Sequence, residues 1–181
     1  MSDLPESELA DSVLTMEKKW KALLRGQIIG ATVNKMMVIM RLADQKAQVL
    51  IFLNSILIPV CLKEIENEAL QTAAMVSIIA SILSILAAMM CIYPKRRYRK
   101  SGHRDINLLH FNDIGHLDKD EFMDAFIPIL SDGEKLCKAA VYDIYDVSKN
   151  SIIPKFVWLK ISYGIFAFGN LLAITLVLAG V

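Results

Sequence analysis

Leu9, Val13, Met16, Trp20, Leu23 and Gln27 recur at alternating steps of four and three, so on a helix they share one stripe. Glu17, Lys18, Lys19 and Lys21 fall largely off it. The spacing predicts an amphipathic helix over 7–27 that packs on its own domain, with self-association or in-plane membrane binding as the rivals. Gly26 and Gly30 are weak helix formers and predict a bend before Met36, Met37, Val38, Ile39 and Met40 resume the apolar pattern.

From Arg41 to Leu62, RLADQKAQVLIFLNSILIPVCL, a charged cluster runs straight into an apolar helix. Residues 47–62 alone reach roughly 24 Å as a helix, a little short of the roughly 30 Å hydrocarbon core. Leu42 and Ala43 extend the run if Arg41 and Lys46 snorkel. A short acidic loop over 63–71 leads to a second run, 73–93, that carries no charge and spans comfortably. Ala73, Ser77, Ser81, Ser84 and Ala88 line one of its faces, and small side chains of this kind let helix backbones approach closely. The third block is 156–181, where Trp158, Lys160 and Tyr163 predict an interfacial anchor.

Between the second and third blocks the pattern predicts a short helix around Ile106, Leu109, His110 and Ile114. Asp118 and Glu121 make a capping-box-like start for a helix over 119–130. Ser131 and Asp132 should cap another over 133–150, with Leu136, Ala140, Ile144, Tyr145 and Ser148 on one side and a Glu134–Lys138 pair on another. No alternating strand pattern is present. The fold expected is an all-α membrane protein with three transmembrane helices and a small helical cytoplasmic domain. Its parts are an arm (1–35), a two-helix transmembrane hairpin (36–93), the cytoplasmic domain (94–155) and a third transmembrane helix (156–181). A segment of roughly 60 residues makes a marginal core by itself, so the cytoplasmic part should lean on the arm and on the first span.

Composition sharpens this reading. Apolar residues are 55% of the 181, with mean hydropathy +0.44, and the excess sits in the three blocks. Of the 20 Lys and Arg, seven precede the first span, one lies in the 63–71 loop and twelve fall between Tyr93 and Ile161. The positive-inside rule therefore puts the N-terminus and the middle segment in the cytoplasm, with the run at Lys95–Lys100 against lipid headgroups. The acidic opening MSDLPESELADSV has no apolar h-region and does not read as a secretory signal. Cys61, Cys91 and Cys137 are far apart and suggest neither a zinc site nor a disulfide framework.

Catalytic chemistry is not evident: no nucleophile elbow, zinc-protease, Walker A or dinucleotide-binding pattern occurs, so no enzyme is expected. His103, His110 and His116 fit no common metal spacing, and Asp118 with Asp120 lacks the glycine and closing glutamate of a calcium loop. Two clusters remain as candidates. Asp44 is costly near lipid, and Asn54, Ser77, Ser81, Ser84 and Asn170 are polar groups inside it, so these should face protein, as packing or oligomer contacts. Arg41, Asp44, Lys46, Arg96, Arg97 and Lys149 put cations able to hold a phosphate, and one carboxylate, at the membrane boundary.

The string LADQKAQVLIFLNSILIPV resembles the A-D-x-K-A-x-x-x-L-x-x-N signature that opens the Pycsar effector transmembrane family. IYPKRR after the second span, NLLHFNDIGHLDKDEF, and SKNSIIPKFVWLKISYGIF before the third add to the resemblance, which covers most of 41–166. The resemblance implies an antiphage membrane effector in the bacterial inner membrane, with membrane lipids around it. A cyclic nucleotide made by a partner cyclase would rearrange a homo-oligomer and compromise the membrane. Oligomer contacts would then fall on the small-residue face of the second span or on the N-terminal stripe. No cofactor, metal or nucleic acid is expected. The rival readings are a constitutive membrane scaffold and a small pore-forming toxin or channel with no nucleotide ligand.

Overall fold

The structure, a computed structural model, describes residues 6–93 and 106–180, and every regular element among them is helical. Helix α1 (Glu6–Glu64) runs for 59 residues without interruption, about 88 Å at 1.5 Å per residue. The arm, the apolar stretch 36–40 and the first span are thus one element, and the expected bend at Gly26 and Gly30 does not break it. A glycine costs only about 1 kcal/mol in a helix interior, too little to stop a rod anchored by packing further along.

After a turn over 65–70, α2 (Gln71–Ile92) returns alongside α1. α3 (Phe111–Ile114), α4 (Lys119–Leu130) and α5 (Gly133–Val147) make a helical layer between the second span and the third. Their ends differ from expectation in two places. Asp118 holds the N-cap position of α4, but its side chain makes no capping hydrogen bond, and the helix starts on the Phe122 N–H donating to the Asp118 carbonyl at 2.9 Å. Ser131 turns back to donate to the Ile127 carbonyl at 2.9 Å, so it finishes α4 and leaves Asp132 alone to cap α5.

Asp132 Oδ1 accepts from the N–H groups of Glu134 at 2.9 Å and Lys135 at 3.3 Å. The Lys135 N–H, and next the Glu134 N–H, hold this carboxyl below the ordinary aspartate range. A carboxyl whose folded pKa is depressed stabilises the fold above its unfolded pKa of about 3.9 and loses that contribution as pH falls through the folded value. Amide exchange in the first turn of α5, corrected for intrinsic rates, should therefore accelerate between pH 5 and the acid limit. The neutral cap of Asp132→Asn should remove that pH dependence while keeping the turn.

α5 does not stop near Asn150. A single π turn over Ser148–Ile152, closed by the Ile153 N–H on the Ser148 carbonyl, carries the chain into α6 (Ile153–Ala179). Pro154 explains the joint: it has no N–H to donate, and its ring would press on the carbonyl four residues back, so a widened turn makes room. Residues 133–179 form one 47-residue rod. It ends where Gly180 takes a left-handed φ of 73° and donates to the Leu176 and Val177 carbonyls.

Among the described residues, three helices are long and apolar enough to cross a membrane. α2 sits between α1 and α6 and packs most extensively on α6. Their ends nearest the middle segment meet in a core of Ala43, Ala47, Ala88, Cys91 and Leu159, against which Ile51, Ile92, Phe156 and Trp158 are partly buried. Trp158 is thus turned into the protein as well as toward the interface. The helices of the middle segment lean on α1 through α5 and the π turn. The arm takes no part in this packing: every side chain from Asp11 to Ile28 is exposed, which corrects the expectation that the stripe packs on its own domain.

Candidate functional site

The small side chains of Ala43, Ala47 and Ala88 let the three rods converge at the end nearest the middle segment, and an ion pair is set directly beside them. Lys155, one residue beyond Pro154, reaches across to Asp44 of α1 with Nζ 2.5 Å from Oδ1. Lys155 is 8% exposed, whereas the Asp44 side chain keeps 32% of its surface. The pair is a charged tie between the first span and the third, and it lies at the boundary where both leave the apolar zone.

Two clefts open here, one on both partners of the pair and one on Lys155 alone. One, about 510 Å³, is lined by Arg41, Asp44, Gln45, Gln48 and Lys155 with Met37 and Met40. The other, about 780 Å³, has an apolar wall of Val33, Met36, Met37 and Met40 from α1. Tyr93, His110 and Phe111 form its aromatic rim, and Asp143, Ser151 and Lys155 supply polar groups. His110 and Phe111 stack at 4.8 Å. Met37, Met40 and Lys155 belong to both clefts, so the two are halves of one recess around the ion pair. Such a recess offers flat apolar faces for a heterocycle and cations for a phosphate.

The loop that carries the aromatic rim is tied down by Asn107. Its Nδ2 donates to Asp143 at 2.8 Å and Asp146 at 3.3 Å, and its Oδ1 accepts from the Leu109 N–H at 3.1 Å. Asp146 also accepts from Asn150, in the π turn. A polar network therefore joins the rim loop, α5 and the joint above the third span.

Of the six residues expected to hold a phosphate-bearing ligand, the structure brings Arg41 and Asp44 together in the smaller cleft. Lys46 is exposed on the far side and lines neither cleft; only its carbonyl is engaged, accepting from Tyr163 Oη at 3.5 Å. Lys149 also lines neither, being folded onto Tyr145 with Nζ 3.1 Å from Oη and 5.4 Å from the ring centre. Arg96 and Arg97 lie outside the described residues, as does His103. Among the described residues, no three His, Cys, Asp or Glu side chains gather as metal donors.

Deeper in the bundle the expected polar positions do face protein. Asn54, fully buried, donates from Nδ2 to the Leu50 carbonyl at 2.8 Å and to Ser84 Oγ at 3.2 Å. Ser84 and Ser162 exchange bonds across α2 and α6, with Ser162 Oγ donating to the Ser84 carbonyl at 2.7 Å and the two hydroxyls 3.2 Å apart. Ser77 Oγ donates to Asn170 Oδ1 at 3.1 Å. Asn54 Oδ1 and Ser81 Oγ are buried with no hydrogen-bond partner. Ser77, Ser81, Ser84 and Ala88 are at most 4% exposed within one chain, so the small-residue face of the second span is consumed internally and is not open to a neighbouring copy.

Lys155, Asn107, Asp143 and Ser162 escaped the sequence reading. A signal existed for two of them. Lys155 is a lone cation immediately before an apolar block that begins level with the Asp44 end of the first span. Ser162 falls eight residues before Asn170, on the same helical face. The link of Asn107 to Asp143 crosses 36 residues, and no local pattern encodes it.

Residues 29–181 match the model of the Pycsar effector protein domain, PycTM. No curated protein and no solved structure matches the chain.

Proposed function

The chain belongs to the Pycsar effector family, whose members serve antiphage systems linked to cyclic nucleotides, and on that premise we propose that the recess around Asp44 and Lys155 receives a cyclic nucleotide made by a partner cyclase. The bound ligand then rearranges a homo-oligomer in the bacterial inner membrane, and the membrane loses its barrier. The observation that carries this reading is the ion pair itself. It joins the first and third spans, and it is the floor of a recess that opens on the cytoplasmic layer. A phosphate entering there competes with Asp44 for Lys155, so binding and helix packing draw on the same ammonium group. The N-terminus and the middle segment are placed in the cytoplasm by their Lys and Arg excess.

A ligand must favour one state by about 5.5 kcal/mol to turn a 1:99 population into 99:1. Subunits that bind together share that requirement. Purified protein in liposomes loaded with a self-quenched dye tests the reading. Cyclic pyrimidine mononucleotides, cyclic purine mononucleotides and cyclic dinucleotides are added in turn, with linear monophosphates as controls. Leakage on addition of one cyclic class is expected. Equal leakage without any nucleotide would identify a constitutive channel or toxin, and neither leakage nor binding with any of them would leave a scaffold.

A further inference from the structure

We infer that the exposed stripe of the α1 arm is a parallel self-association surface, covered in the membrane by the same stripe of a second copy of this chain. Val13, Met16, Trp20 and Leu23 are 59%, 72%, 62% and 52% exposed. Their steps of three and four continue the heptad spacing that brings one helix against another. Nothing among the described residues covers them, since all side chains from Asp11 to Ile28 are exposed.

Orientation identifies the occupant. At 3.6 residues per turn, the stripe lies roughly 180° around the rod from Ala43, Ala47, Leu50 and Asn54, the buried face that α1 turns to its own α2 and α6. Asp11, Lys18 and Arg25 fall on the side aligned with that buried face. The arm's apolar side therefore looks away from its own protomer, toward whatever stands beside it. α1 is unbroken from the arm into the span, so the arm continues the line of the span instead of lying along the membrane surface. Copies inserted in one membrane with one topology point the same way, and equal residues then meet at equal heights. Across a parallel seam a g position meets the e position of the next heptad, here Lys19 with Leu24 and Ser12 with Glu17, so no like charges oppose. The other oligomer surface expected from the sequence, the serine face of α2, is already occupied within the protomer.

The stripe up to Leu23 precedes the region matched by the family, which begins at residue 29, so the inference stands or falls apart from the nucleotide reading. The test uses the full chain in membranes with Cys61, Cys91 and Cys137 replaced by alanine. Single cysteines are introduced as Met16→Cys and Leu23→Cys on the stripe, and as Lys18→Cys and Arg25→Cys on the opposite face. Mild oxidation should give several-fold more disulfide-linked dimer at the two stripe positions. Equal yields on both faces, or no dimer at the stripe, overturn the inference. Trp20→Glu, which touches nothing inside the protomer, should lower the oligomer mass in mild detergent; an unchanged mass counts against it. In a Trp158→Phe background, strong quenching of Trp20 by brominated lipid places the arm in the membrane surface and also overturns it.

Discussion

Gly169→Ala is expected to loosen the bundle even though it adds only one methyl group. A Cβ at Gly169 would stand 2.1 Å from the Cβ of Ala80, and that atom is fixed to the α2 backbone and cannot rotate away. In an exposed helix the same change would gain about 1 kcal/mol from helix propensity. Here overpacking opposes it at about 1–3 kcal/mol, so the sign should reverse. Separating α2 from α6 also strains the bonds between Ser84 and Ser162 and between Ser77 and Asn170, each worth about 0.6 kcal/mol in lipid. Thermal unfolding in detergent measures the loss. The decisive partner is Ala80→Gly: with that methyl gone, the new Cβ meets only the Ala80 Cα at 3.6 Å, an ordinary contact. The double variant should recover most of what Gly169→Ala loses, and a double-mutant cycle with no coupling would show that these two positions do not set the approach.

Lys155→Met should cost about 2 kcal/mol, because it keeps the stem in its buried slot and leaves Asp44 without its cation. The value sits below the 3–5 kcal/mol of a fully buried pair, since Asp44 retains about a third of its surface and water can screen it. Pairing the change with Asp44→Asn should return part of the loss. In liposomes the two single variants should move in opposite directions. Lys155→Met removes the cation that a phosphate would take, and nucleotide-triggered leakage should disappear. Asp44→Asn removes the competitor, and the concentration of nucleotide needed for leakage should fall. Parallel losses in both would mean that the pair only holds the helices together and does not meet the ligand.

The three spans were legible in the sequence because uncharged runs of the required length have few alternative uses. The packing face of the second span was legible too, since Ser77, Ser81 and Ser84 repeat at helical spacing as a stripe of small side chains that lets helix backbones approach. What the pattern did not carry was continuity. Gly26 and Gly30 read locally as a bend, and the helix over 133–150 as separate from the third block, yet α1 passes through the glycines and a single π turn joins the other two. Propensity is a sum of small local terms, and a rod packed over several turns outweighs one or two of them. The ion pair was half visible. Asp44 stood out as a charge at the lipid boundary, but its partner is 111 residues away, and Lys46 on the same helix was the nearer cation in sequence. A helix turns roughly 200° in two residues, so Lys46 faces away from the third span while Asp44 faces it.

The joint between α5 and α6 has a torsional consequence. A π turn carries one residue more than the α geometry around it. If the turn tightened to ordinary helix, everything beyond it would revolve by about 100° relative to α5. Ser162 would swing off Ser84, and Asn170 off Ser77, so the third crossing behaves as a shaft whose angular setting is held where Asn150 meets Asp146.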